Sequence, residues 1–573
     1  MRSVKPRAQQ LMTNSLFGFT VIFVLLLGAS FTRVHAQREV GVRPTDSGGP
    51  LMPEQAAYDI KSYDLDLSIN PAEQSIKGVL TAHALIVHPT AWFVLDLDPP
   101  LTVDSVGLVN ATVNPQALSF ERRAGQLWIA FPLTKQPGEN VRVRVSYGGK
   151  PRVSPRPPWA GGFVWAHTAG GQPWIGVACQ SDGADLWFPV KDHPSDKPET
   201  VSLHFNVPQP LVVASNGTLR SVDKNQDGTQ TFNWFVSNPI NNYNITLNVA
   251  PYKTIQDRYA SVSGADVPVT LWVLPEDYDK GMALVKQTKE YLRFFEEHLG
   301  PYPFRNEKVG IAQTKYLGME HQTIIAYGNN FKFDADGFDW LMFHELGHEW
   351  WGNLVTASDW RDFWIHEGFQ SFMDTLYLEK LRGKDAYFKG MTNRMKSLRN
   401  LQSVAPRESR TMVQMYMAAP DYVRSDGDIY GKGAVILHTL RYLIGEEAFF
   451  AALRRMAYPD PLREKLFTGR QVRFATTDDF QRIAETASGK KLDWFFEVYL
   501  RQPKLPRLLS ERNGNRLELR WEAPGGLTFP MPVEVQVGTS TRRYEMAGGA
   551  VTIPIEAEKT VVVDPQNWIL KAQ

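Results

Sequence analysis

Cysteine is nearly absent: Cys179 is the single one in 573 residues. It has no partner for an intrachain disulfide and cannot build a multi-cysteine zinc site, so a bound metal would need His and carboxylate ligands. No nucleophile motif surrounds it, which favours inert burial over thiol catalysis. Net charge is nearly absent as well. With 62 Lys and Arg against 61 Asp and Glu, the formal charge is +1. No long basic run supplies a local field, so the electrostatic case for a nucleic-acid partner fails. Internal repeats and low-complexity blocks are missing, and the length is too great for one small module: at about 100–200 residues per domain it predicts several.

Long apolar runs are missing except at the start. Arg2, Lys5 and Arg7 precede LFGFTVIFVLLLGAS, and Val34-His35-Ala36 offers small residues before a cleavage after Ala36. At about 15–17 residues this run falls short of the roughly 20 that span a bilayer. The expectation is an exported protein, secreted or periplasmic, with signal peptide 1–36. A membrane-anchored form is the alternative if the segment is retained.

After a Gly/Pro-rich linker (37–54), period-two patterns such as SYDLDLSINP, SIKGVLTAHALIV and RVRVSYGG predict a β domain over 55–255. Asp223-Lys-Asn-Gln-Asp-Gly228 imitates a calcium loop, but its twelfth position is Trp234 instead of Glu, so a hairpin turn is expected. Asn110, Asn216 and Asn244 are weak glycosylation sequons. From about 256 to 502 helical spacing dominates, in KQTKEYLRFFEEHLG, DGFDWLMFHELGHEWWGNLV, FWIHEGFQSFMDTLYLEKLRG and YGKGAVILHTLRYLIGEEAFFAALRRM. Alternation returns over 503–573 in NRLELRWEA, MPVEVQVGT and TVVVDP, predicting a terminal β-sandwich.

The chemistry centres on His344-Glu345-Leu-Gly-His348. Residues four apart on a helix share a face, so both imidazoles can reach one ion while Glu345 projects toward its open side. Glu367 lies 19 positions after His348 on a second predicted helix. In one continuous helix those residues would stand about 28 Å apart, so the chain must fold back, and the polar stretch Thr356-Ala-Ser-Asp359 is the expected turn. Two His and one Glu leave a fourth position for water, as in a thermolysin-like hydrolytic zinc site with one Zn2+ ion. Zinc would lower the water's pKa and polarise a carbonyl, with Glu345 as general base and acid. Asp374, two turns beyond Glu367, could orient a liganding His or form an ordinary surface salt bridge. His366 is expected to pack or hydrogen-bond and not to ligate.

At these residues the sequence resembles the zinc aminopeptidases that include aminopeptidase N and leukotriene hydrolase, the gluzincins with HExxH, eighteen residues, then Glu. The resemblance implies a multidomain α+β fold: an N-terminal β-sandwich or saddle, a thermolysin-like catalytic domain and a C-terminal β-sandwich. Leu317-Gly318-Met319-Glu320-His321 resembles that family's GAMEN strand, which makes Glu320 the anchor for a substrate α-amino group and places Gly318 and Met319 along the peptide. Leu317 and His321 depart from the pattern, which bears on specificity and rate. Tyr430-Gly-Lys-Gly433 resembles the YxKG segment, whose Tyr stabilises the oxyanion. Gln180, before a Phe188-Pro189, Asp192, Pro194, Lys197 run, resembles a substrate-contacting Gln. Ser215-Asn216-Gly217 resembles a β-domain turn.

The expected function is therefore removal of N-terminal residues from peptides. A zinc endopeptidase and a non-catalytic peptide-binding module are the alternatives, with epoxide hydrolysis a remote third. Peptides are the expected partners; the oligomeric state is open, a dimer being compatible. A large closing helical domain of the relatives has no counterpart after Pro503, which predicts an open cleft or closure by another subunit.

Overall fold

The computed structural model describes residues 46–109, 115–416, 428–556 and 558–572. The export segment (1–36), the first half of the expected linker and the Asn110 sequon lie outside them. Among the described residues no helix is long and apolar enough to cross a membrane.

The first strand shows how period two becomes a sheet. In Tyr58–Asn70, Tyr63, Leu65, Leu67 and Ile69 are buried while Asp64, Asp66 and Ser68 face outward, as a half-buried strand requires. It pairs antiparallel with Ser75–Ile86 and parallel with Thr200–Pro208, inside a sheet of eight strands among the described residues. A four-stranded sheet packs nearby, containing Gly162–His167, Pro173–Ala178, Val212–Ser215 and Leu247–Ala250. Thr218–Lys224 and Thr229–Val236 form the hairpin around the false calcium loop, where Asp227 Oδ1 accepts from Thr229 N at 3.0 Å.

A second region begins with the strands Lys253–Ala260 and Asp266–Val273. These open a five-stranded sheet whose far edge is the two-residue strand Gly318–Met319. Helices pack beside it: Tyr278–Leu299, Trp340–Gly347, Trp364–Arg382, Lys384–Lys396, Gly433–Ile444 and Glu446–Ala457. The last two read as one apolar pattern in sequence, but Gly445 at φ +86° divides them. Two three-stranded sheets follow after residue 506, adding Arg507–Asn513 and Ser540–Tyr544 to the strands expected there. The architecture is thus multidomain α+β, with β regions at both ends of a helical centre.

Candidate metal centre and peptide cleft

Helix Trp340–Gly347 starts at Asp339, whose side chain caps Met342 N at 3.1 Å. It is shorter than its spacing suggested. His348 keeps right-handed backbone (φ −65°, ψ −15°) as the last helical turn closes, so both imidazoles stay on one face with Nε2 atoms 3.2 Å apart. Beyond it the chain folds back at once: Asn353 N donates to His348 O, and Gly352 adopts φ +127° beside the His366 ring. The expected turn at Thr356–Asp359 is therefore misplaced, because Val355–Ala357 is a strand pairing in parallel with Arg473–Ala475. A local polarity pattern could not reveal that distant partner. Gly347 lies against the next helix, where a Cβ would stand 1.8 Å from Gln370 Oε1. That close approach delivers Glu367.

Glu367, in helix Trp364–Arg382, places Oε2 3.5 Å from the Nε2 atoms of both His344 and His348. This buried oxygen has no hydrogen-bond partner, and the three donor atoms lie within 4.8 Å of one another. Two imidazole nitrogens and a carboxylate oxygen converging on one point fit a single zinc ion. The opposite ring nitrogens are engaged: His344 Nδ1 meets Asp374 Oδ2 at 3.0 Å and His348 Nδ1 meets Trp351 O at 2.8 Å. Protons held there leave both Nε2 lone pairs facing the metal. Burial would raise Glu367, but the two imidazoles hold it well below the usual carboxylate range. His366 points elsewhere, its Nε2 accepting from Ala357 N at 3.0 Å.

Glu345 lines the same cleft. Burial pushes its carboxyl up to about 8 against the opposing pull of His344. Gly318 presses on it, since a Cβ there would come within 2.6 Å of Glu345 Oε1; only glycine lets the edge strand approach the carboxylate. Glu320 follows that strand. Its Oε1 accepts from Gln180 Nε2 and, at 2.9 Å, from Tyr243 OH. Gln180 Oε1 accepts from Tyr416 OH at 3.2 Å, and Tyr416 OH lies 3.0 Å from Tyr430 OH. Tyr430 sits in a π-helical turn, Asp428–Lys432, its ring nearly parallel to that of His344 at 6.3 Å. Gly433 just beyond meets Gly368 of the Glu367 helix, each occupying the space the other's Cβ would need.

Every residue that the sequence offered as a metal, catalytic, substrate-binding or His-orienting candidate lines one cleft of about 390 Å³: His344, Glu345, His348, Glu367, Asp374, Glu320, Gln180, Gly318, Met319 and Tyr430. Sequence reasoning missed Tyr243, Tyr416, Asn353 and Arg394. Tyr243 and Glu320 are 77 residues apart, a contact without periodic signal. Asn353, in the turn after His348, donates to Glu320 O, and its own carbonyl accepts from Lys197 Nζ, both at 3.0 Å. The Phe188 to Lys197 run thus braces the metal loop. Cys179 is buried, which raises its thiol well above the ordinary value. Asn216 and Asn244 correct the sequon reading: both are inaccessible, and Asn216 Nδ2 donates to the carbonyls of Asn244 and Gln322, leaving no room for a glycan. His321 is likewise buried, with neither ring nitrogen hydrogen-bonded.

Residues 60–243 match the peptidase M1 N-terminal domain and residues 283–499 the peptidase family M1 domain. The chain belongs to peptidase family M1. Aminopeptidase N of Lactococcus lactis is 31% identical over 174 residues, which are 30% of this M1 chain and 19% of that protein. A probable aminopeptidase 2 of Sulfurisphaera tokodaii is 23% identical over 75% of this chain and 53% of its own. The M1 chain thus spans at most about half of these curated relatives. An M1 zinc metallopeptidase of Deinococcus radiodurans, solved with a Tyr-Ser-Ala substrate, shares the fold at a TM-score of 0.62. It is 23% identical, over 78% of this chain and 95% of that one.

Proposed function

We propose that this M1-family chain is a zinc aminopeptidase that hydrolyses the first peptide bond of peptides with a free amino terminus. The observation that carries it is Glu320. Its charge is met by two neutral donors, Gln180 and Tyr243, and by no ion pair among the described residues. Burial accordingly raises it above the ordinary carboxylate range. A buried carboxylate hydrogen-bonded only by neutral side chains, beside a metal set, is matched by an ammonium group. The Deinococcus relative, bound to a tripeptide, agrees with that substrate class.

The zinc supplies Lewis acidity at the scissile carbonyl and lowers the pKa of water when bound. The chain's residues do the rest. The edge strand Gly318–Met319 leaves backbone groups for an extended peptide. Glu320 fixes the amino end, so that the first peptide bond faces Glu345. Glu345 takes a proton from the attacking water and passes it to the leaving amine, a role its place in the cleft beside His344 allows. Tyr430 donates its hydroxyl proton to the oxygen that gains charge.

Zinc-loaded protein should release N-terminal residues from free-amino peptides and leave their acetylated counterparts intact. In Glu345→Gln, metal content should stay near one ion while kcat falls by roughly 10²–10⁴. Cleavage of acetylated peptides at internal bonds would establish an endopeptidase instead, and binding without turnover a recognition module. Export is proposed on the basic residues and apolar run of the N-terminal segment; N-terminal sequencing that finds Met1 retained would overturn cleavage after Ala36.

A further inference from the structure

One hydrogen-bonded chain joins the amine anchor to the oxyanion phenol, and a middle member of it, Tyr416, has no part in the mechanism above. Glu320 as a carboxylate only accepts, so Gln180 turns Nε2 toward it and Oε1 away. Tyr416 OH donates to that Oε1 at 3.2 Å, since a carbonyl oxygen has no proton to give. A phenol carries a single proton. At the 3.0 Å contact between the two phenols, Tyr430 is therefore the donor and Tyr416 the acceptor. The bonds run one way, from Tyr430 through Tyr416 and Gln180 to Glu320, and all four side chains line the cleft. This direction commits the Tyr430 proton to Tyr416, whereas the reaction needs it on the oxygen that gains charge.

We infer that Tyr416 is a positioning residue that makes the oxyanion donor answer to the substrate's amino terminus. This rests on the aminopeptidase reading. An ammonium has three N–H donors and no acceptor. One N–H serves Glu320, and a second is placed to take Gln180 Oε1, because that amide is itself bonded to Glu320. Tyr416 then gives up the amide oxygen and turns its O–H onto the Tyr430 oxygen, a rotation about one C–O bond that displaces no heavy atom. Tyr430, now the acceptor of that bond, has its own proton for the oxyanion. The donor behind it strengthens the bond it makes, because hydrogen bonds in series polarise one another. No proton changes owner; only the directions of two hydroxyl groups reverse. A peptide without a free amine leaves Tyr416 on Gln180 and the Tyr430 proton on Tyr416.

The test uses the full zinc-loaded chain and two chromogenic substrates, alanine p-nitroanilide and its desamino counterpart, propionyl p-nitroanilide. In the parent, kcat should favour the amine substrate by about a hundredfold or more. Tyr416→Phe keeps the ring and removes the relay. Its kcat on the amine substrate should fall about five- to tenfold with KM within about twofold, while kcat on the desamino substrate does not fall. Adding Tyr416→Phe to Tyr430→Phe should slow the enzyme no further, because the two residues act through one bond. A packing role for Tyr416 would slow both substrates in both backgrounds by the same factor and would overturn the inference, as would an unchanged kcat in Tyr416→Phe. Calorimetry on the Glu345→Gln protein tests the amine half alone. There the dipeptide Ala-Phe should bind at least as tightly once Tyr416→Phe is added, since Gln180 Oε1 then has no donor to surrender; weaker binding would overturn the relay. Absence of turnover on every peptide would refute the aminopeptidase reading while that affinity comparison still reports on Tyr416, and absence of binding as well would overturn both.

Discussion

Glycine and tyrosine set the geometry of the cleft at the residue scale. Gly318 brings the edge strand within reach of Glu345, and an added methyl at 2.6 Å would push one from the other. Tyr430 is held by its ring against His344 and by its hydroxyl against Tyr416, so it is presented toward the metal set before any peptide arrives. Tyr430→Phe keeps the ring and removes the donor. Its kcat should fall by about 10²–10³ with KM little altered, as steady-state kinetics would show, because the bond forms to charge that develops only in the transition state. An unchanged kcat would remove Tyr430 from that role. The two metal-binding His and Glu345 were legible from HExxH, since that spacing is a local helical property, and Glu367 from its place on a second helical pattern that has to fold back onto the first. Tyr416 and Arg394 were not, because nothing in their neighbourhoods marks the cleft they line.

Between elements, the decisive contact is the crossing of Trp364–Arg382 and Gly433–Ile444. Gly368 and Gly433 meet backbone to backbone, with an added Cβ reaching only 2.8–3.0 Å from the opposite Cα. One helix carries Glu367 and the other follows directly on Tyr430, so their separation sets the distance from metal ligand to phenol. Gly433→Val should cost about 1–3 kcal/mol by overpacking and displace Tyr430. Thermal melts would show the stability loss, and kcat should fall further than the fraction folded explains. A kcat loss no larger than that fraction would confine the crossing to stability. Both glycines stand inside the motifs that resemble the family pattern, yet sequence alone did not say that they touch.

For the whole molecule, the C-terminal segment is tied onto the catalytic helices. Arg543 donates to the carbonyls of Tyr442 and Leu443, Thr439 Oγ1 donates to Trp568 O, and Tyr499 OH donates to Leu570 O. His438 lies in this seam, between Tyr387 OH at 2.8 Å and Asn567 O at 3.2 Å, stacked on Trp568. Burial pushes it down to about 3, only partly opposed by the Asn567 carbonyl and assisted by Arg441. The unfolded chain takes up this proton near 6.5 and the folded one does not, so stability falls as pH drops from 6.5 toward 3. At pH 5 the loss is about 2 kcal/mol. Melting temperatures of the zinc-loaded protein at pH 7 and 5 should therefore diverge less in His438→Gln than in the parent. Equal divergence would show that His438 is not held neutral.

Sequence by itself determined the element types, the ligand triad and the family, because alternation, helical spacing and a four-residue His repeat are properties of neighbours along the chain. It also excluded an intrachain disulfide and a multi-cysteine metal site from the count of cysteines alone. Only the tertiary structure decided where the helix of His344 stops, that Asn216 and Asn244 are sealed, and that Glu320 meets Gln180 and Tyr243. It alone brought Arg394, through Asp374, into the cleft that Glu320 lines. Each of these depends on contacts between segments far apart in the chain, which packing creates and which no local pattern encodes.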